Sequence, residues 1–343
     1  MLDKLPQSKR LAIAVALALI FFVAYDHFYL SKIRASMEAN ATAAQSAQNT
    51  AAPQTSAAAG AQGANLNTAN SVSAPLVRVI GKEANFTIDG LGRISSYVLN
   101  DAKFRDGNGE ALNLIDVKSH SKPLEVRFED AALNAMAFDT PYSASSSELD
   151  VRNGEASVSL SQNLGSVAIT KNLTFFPNGS YKLDVKLNSS APYFITPGSR
   201  PNVEVDSYTI HGVIVGKPGE AGIFDKLTSF FTDSQNTKEN VEIFKDGDVD
   251  SNERISNANI AASSDRYYTT LLYGNNMDVT VTDADKISQV FIRSNGDFSA
   301  TGYLGAKDHA TLNSIDPVLT NIIEYGWFTF IARPMFKFLN WLH

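Results

Sequence analysis

Between residues 181 and 187 the chain alternates strictly. Tyr181, Leu183, Val185 and Leu187 are separated by Lys182, Asp184 and Lys186. A period of two puts one set of side chains on a buried face and the other in water, which a helix cannot do with this pattern. The preceding Pro177-Asn178-Gly179-Ser180 contains Asn-Gly, the strongest short hairpin signal. It predicts a partner strand over 167–176. The logic repeats at 85–89, with a turn at Gly90-Leu91-Gly92 and a return strand over 93–99. Further strands are expected at 124–128, 203–210, 267–272, 277–282, 290–293 and 298–303, with a short helix over 223–231. About a dozen short strands with turn punctuation predict a mainly β fold, a large antiparallel β-sandwich over 76–316.

The two ends of the chain do not share this pattern. Residues 11–25 carry no charge, and 11–30 make a 20-residue segment. As a helix it would reach about 30 Å, the thickness of a bilayer core. Lys4, Lys9 and Arg10 precede it, which places the N-terminus on the cytoplasmic side, although Lys32 and Arg34 follow. We read 1–30 as an uncleaved signal anchor. A cleaved signal peptide is the competing reading, but its small-x-small site, Ala39-Asn40-Ala41, lies far behind those charges. Residues 39–77 carry no charge and almost no branched apolar side chains, so 31–75 reads as a disordered linker.

Charge and composition exclude several functions. Residues 76–316 hold 22 Lys and Arg against 32 Asp and Glu, a net of −10. An acidic body without a basic stripe is not a nucleic-acid binder. The chain has no Cys, which excludes thiol nucleophiles and cysteine zinc sites. No nucleophile elbow, zinc-protease pair, P-loop or dinucleotide fingerprint occurs. The five His are scattered. Asp246, Asp248 and Asp250 alternate like calcium ligands, but Ser251 and Asn257 stand where such a loop needs Gly and Glu. An acidic turn is the better reading there, and at Asp106-Gly-Asn-Gly-Glu110. The expectation is therefore a non-enzyme with no catalytic residue, cofactor or metal.

The last 27 residues, 317–343, read as an amphipathic interface helix. Asp316-Pro317 is a helix start, with Leu319, Ile322 and Ile323 on one face. Beyond it, Met335, Phe338, Leu339 and Leu342 recur at helical spacing, and both Trp of the chain, Trp327 and Trp341, fall here. Trp and Tyr favour the headgroup level of a bilayer. The candidate membrane-interface residues are Tyr325, Trp327, Phe328, Phe330, Ile331, Met335, Phe336, Phe338, Leu339, Trp341 and Leu342. Arg333 and Pro334 interrupt the run, so it lies on the lipid bilayer rather than crossing it.

The stretch from Ile323 through Tyr325-Gly326-Trp327, Pro334, Lys337 and Trp341 to His343 resembles the segment before the second transmembrane helix of the YidC membrane-protein insertase family. Tyr303-Leu-Gly305-Ala-Lys307 is similar to the end of that family's periplasmic domain. Ile169-Thr-Lys171-Asn-Leu-Thr-Phe175, followed by Gly179-Ser-Tyr181, is similar to one of its hairpins, and Lys9-Arg10 with Phe21 to Tyr25 to its first anchor. The resemblance implies a periplasmic β-supersandwich, mutarotase-like in fold, on the bacterial inner membrane. It implies a chaperone and insertase of nascent inner-membrane proteins, acting alone or beside the Sec translocon. It also implies a missing insertase core, as in a fragment, so that this stretch alone would insert nothing. Arg333 is not that core's groove arginine.

Two other readings compete. One is a membrane-tethered carbohydrate-binding or mutarotase-like domain with a sugar in a sandwich cleft. The other is an envelope scaffold that only binds proteins.

Overall fold

The computed structural model describes residues 74–115, 121–201, 203, 211–219 and 239–323. The expected anchor over 1–30, nearly all of the linker, all but Val203 of the strand expected over 203–210, the helix over 223–231 and every interface residue from Tyr325 to Leu342 lie outside the described residues.

The described residues are mainly β, in two sheets. The smaller contains β1 (Pro75–Ile80), β2 (Ala84–Asp89), β3 (Ile94–Leu99) and β6 (Glu148–Asp150), ordered β3-β2-β1-β6. Its pairs are antiparallel except β1 with β6. The larger contains β5 (Ser143–Ala144), β7 (Ala156–Leu164), β8 (Val167–Phe175), β9 (Ser180–Leu187), β11 (Gly212–Pro218), β12 (Glu239–Lys245), β13 (Glu253–Ser264), β14 (Tyr268–Ala284) and β16 (Phe298–Ala306). Their order is β12-β11-β13-β14-β16-β9-β8-β7-β5. A branch leaves the far half of β14 through β15 (Ile287–Ser294), β10 (Tyr193–Ile195) and β4 (Val126–Phe128). Every pair in the larger sheet is antiparallel.

The Asn-Gly turn forms as expected. Gly179 sits at φ +83°, a region glycine enters freely, and Phe175 pairs with Tyr181. On β9, Tyr181, Leu183 and Val185 are buried while Lys182 and Lys186 are exposed. A shared core joins the two sheets. Phe86 of β2 meets Phe175 of β8 edge to face at 5.0 Å between centroids, and stacks on Tyr97 of β3 at 5.4 Å. Each such ring contributes about 1.5–3 kcal/mol by burial.

A second core lies on the opposite face of the large sheet. Along β11, Val213 and Val215 enter the main core and Ile214 the second. Ile260 of β13, Leu271 of β14 and Tyr303 of β16 join Ile214 there. The cover is helix α2 (His309–Ile315) and a 3-10 helix (Pro317–Ile322), through Leu312, Val318, Leu319 and Ile322. The sequence suggested an α-helix after Asp316. The Asp316 carboxylate and Pro317 do open a helical turn, but it is of the tighter kind.

The expected strand set omits β1, β5, β6, β7, β10, β11, β12 and β13, and two further elements differ from it. The strands expected at 267–272 and 277–282 are one continuous strand, β14. Between them Asn276 takes φ +51° in a bulge facing an irregular stretch of β13 around Asn257, itself at φ +59°. Residues 131–139 form a helix, α1 (Ala131–Asp139), that the strand pattern did not announce. Its composition, Ala-Ala-Leu-Asn-Ala-Met-Ala-Phe-Asp, has no helical apolar period to detect.

Candidate functional site

The end of the described chain is fixed by two caps. Asp308 opens α2, its carboxylate accepting from the Thr311 amide at 2.8 Å. Asp316 opens the 3-10 helix, accepting from the Val318 amide at 2.9 Å. An N-cap of this kind contributes about 1 kcal/mol. With Leu319 and Ile322 fully buried, these caps set the point from which the chain continues into the aromatic segment beyond residue 323.

A cavity of about 500 Å³ lies beside α2. Its floor is Tyr97, Leu99, Phe104, Tyr268, Tyr303 and Leu304, and its rim carries Lys82, Glu83, Asp101, Lys103, Asn178 and Asp308. Burial raises the hydroxyl pKa of Tyr97 and of Tyr303 well above the ordinary tyrosine range, so both stay neutral. Lys103 pairs with Asp101 at 2.9 Å and lies 4.7 Å from the centre of the Phe104 ring. Tyr97, Tyr268 and Tyr303 are buried, so the floor offers little ring face to a sugar.

Between the sheets lies a buried charge network. Arg93 donates to Asp89 through Nε at 3.0 Å and Nη2 at 2.8 Å, and to Glu125 through Nη1 at 3.1 Å. Arg127 donates to Glu125 through Nε at 2.7 Å. Beside them Lys171, fully buried on β8, donates to the Gly92 carbonyl at 2.9 Å and the Leu124 carbonyl at 2.7 Å. Its Nζ lies 4.4 Å from the Tyr142 ring centre. Burial pulls the Lys171 pKa down to about 7, against the opposing pull of Asp89 and Glu125. Leu124 itself is held at φ +69°, a strained conformation for a branched residue. This network joins the β2–β3 turn, the approach to β4 and the large sheet. It holds the sheets together rather than presenting reactive groups.

The sequence flagged none of these charges as a site. A signal was nonetheless present. Along β8, Val167, Ile169, Lys171, Leu173 and Phe175 share the inward face, so Lys171 occupies an apolar register position. For Arg93 no comparable signal exists. At the acidic turn, Asp246 accepts from Arg200 Nε at 2.6 Å and from the Ser288 amide at 3.0 Å. The Asp106 carboxylate accepts from the amides of Asn108 and Glu110, closing its own turn. Among the described residues no group of three His, Asp or Glu side chains is placed to hold a metal. None of their helices is long and apolar enough to cross a membrane.

The described residues define a mainly β domain of two sheets with a capped helical exit. The chain belongs to the YidC family, whose periplasmic-domain model matches residues 92–338. It is similar to the membrane protein insertase YidC of Campylobacter jejuni, 40% identical over 98% of this chain and 61% of that protein. It is also similar to the YidC of Wolinella succinogenes, 34% identical over 99% of this chain and 61% of that one. The chain thus spans about three fifths of the length of these relatives. Among solved structures, the Thermotoga maritima YidC crystal structure aligns over 78% of this chain and 64% of that one, at 14% identity and a TM-score of 0.32. A likeness that small adds nothing to the assignment.

Proposed function

We propose that the chain is the anchor, periplasmic domain and interface segment of an inner-membrane insertase that acts on nascent membrane proteins, alone or with the Sec translocon. In this reading residues 1–30 anchor the chain with its N-terminus in the cytoplasm, and 31–75 tether the domain. Residues 76–316 form a mutarotase-like β-supersandwich in the periplasm, and 317–343 bring the chain to the bilayer surface. The domain performs no chemistry. It positions.

The observation that carries the reading is the 40% identity to a named insertase across 98% of this chain. The second core supports it, because it docks the last described helices on the sheet and so directs the exit of the chain.

Intrinsic fluorescence tests the membrane placement. Both Trp of the chain, Trp327 and Trp341, lie in the proposed interface segment, so all Trp emission reports on it. In bilayers the emission is expected to be blue-shifted and quenched by lipids brominated near the headgroup. Emission typical of water, untouched by brominated lipid, contradicts the reading.

A further inference from the structure

The cavity beside α2 has two ends. Along β16, Tyr303 stands opposite Ser180 and Ala306 opposite Tyr268. Three residues of strand separate these points, about 10 Å. The first end lies beside the turn that precedes β9, where a Cβ on Gly179 would stand 3.2 Å from the Tyr97 hydroxyl. The carboxylates of Glu83 and Asp308 bear on the Tyr303 hydroxyl there, and Glu83 on that of Tyr97 as well. At the second end Phe104 meets Tyr268 edge to face, at 6.1 Å between centroids. Leu99 and Leu304 add apolar lining.

Two features define what fits. Tyr97 and Tyr268 both line the cavity and are only 4% and 6% exposed. Among the described residues neither hydroxyl has a hydrogen-bond partner. Each therefore has lone pairs to offer a donor. At the second end the chain supplies an ammonium of its own. Lys103 Nζ lies 4.7 Å from the Phe104 ring centre and 2.9 Å from Asp101. A ring face beside a carboxylate is the way an organic cation is held. Both members of that pair are exposed, so the pair is weak and can be displaced. The rim sets three carboxylates, Glu83, Asp101 and Asp308, against Lys82 and Lys103. The domain around it has a net charge of −10 over 76–316, which draws cations in.

We propose that this cavity binds a linear aliphatic diamine or polyamine. One ammonium meets Glu83, Asp308 and the Tyr97 hydroxyl. The alkyl stem lies on Leu99 and Leu304, and a second ammonium displaces Lys103 from Asp101 and the Phe104 face. The ligand is held without chemical change. A sugar brings no charge to either end, and a monoamine satisfies only one.

Isothermal titration of the full chain in polyoxyethylene detergent micelles tests this, with cadaverine and spermidine as probes. Pentylamine, glutarate and galactose are the comparisons. Both polyamines are expected to bind saturably, pentylamine about tenfold more weakly, and glutarate and galactose not at all. Tyr97→Phe keeps the ring that stacks on Phe86 and loses only the hydroxyl. It is expected to weaken cadaverine about tenfold with the circular dichroism unchanged. Glu83→Gln, at an exposed residue, is expected to weaken it about threefold. Lys103→Ala removes the internal competitor and is expected to tighten binding. Lys186→Ala, an equal change of charge on β9 outside the cavity, is expected to leave it unchanged. No saturable heat at millimolar cadaverine overturns the proposal. So do equal affinities for pentylamine and cadaverine, binding of galactose in their place, or equal tightening by Lys103→Ala and Lys186→Ala, the mark of a general attraction to the acidic domain.

Discussion

Lys171 donates to the carbonyl oxygen of Gly92, 79 positions earlier in the chain, and the same Nζ holds the Leu124 carbonyl of a residue forced into left-handed backbone. One side chain thus ties the small sheet's turn and the approach to β4 onto the large sheet. Lys171→Met keeps the volume and removes both bonds, leaving two buried carbonyls without this donor. The expected loss is about 2–4 kcal/mol in chemical denaturation. A loss under about 0.5 kcal/mol would show that the network does not hold the sheets.

The same lysine gives a pH signature. Its folded pKa of about 7 lies below the ordinary value of 10.5. Between those two values the unfolded chain binds more protons than the folded one, so stability rises with pH across that window. The contribution is complete above about pH 10.5, is lost as pH falls towards 7, and is flat below. Denaturation of the parent minus Lys171→Met, measured from pH 6 to 10, isolates this slope, which approaches about 1.4 kcal/mol per pH unit at most. A flat difference would mean that Lys171 stays charged throughout.

Arg93 is shared by two carboxylates in the buried network. Arg93→Met strands Asp89 and Glu125 with reduced compensation. The expected cost is about 3–5 kcal/mol, partly recovered by adding Asp89→Asn. Additive losses in that double-mutant cycle would contradict the pairing.

Gly302 leaves room for the Tyr181 ring. A Cβ at residue 302 would overlap the ring itself, which is fully buried and packed against Phe175. Gly302→Ala is therefore expected to cost about 1–3 kcal/mol or more through overpacking, read as a lowered melting temperature. An unchanged melting temperature would show that the strand pair shifts freely.

The second core makes its own prediction. Leu319→Ala removes a fully buried side chain that holds the 3-10 helix to the sheet. It should cost about 2–5 kcal/mol and raise hydrogen exchange across α2 and the 3-10 helix. Exchange unchanged in those helices would mean that the exit of the chain is held by something else.

The residues show why part of this was legible beforehand. Alternation revealed β2, β3, β8 and β9 because each has one dry face and one wetter face. The strands expected at 267–272 and 277–282 both lie within β14, and what was missed is the bulge at Gly274-Asn275-Asn276 that makes them one strand. Near its start β14 is covered on both sides, so Leu271 and Leu272 are both buried and no alternation marks it. Helix α1 escaped because it lacks an amphipathic period. The buried charges escaped because ion pairing depends on residues such as Arg93 and Glu125, 32 positions apart. Lys171, on an inward register of β8, carried a signal in the pattern that the sequence reading did not take up.

The most direct test of the insertase assignment is a transplant. Residues 1–343 replace the matching three fifths of the Campylobacter jejuni relative, and the chimera is expressed in cells depleted of their own insertase. The account predicts that the chimera restores membrane-protein insertion and growth, and that replacing residues 324–343 within it by a Gly-Ser stretch abolishes both. A chimera that accumulates in the membrane yet restores neither, or one indifferent to the loss of 324–343, would contradict it.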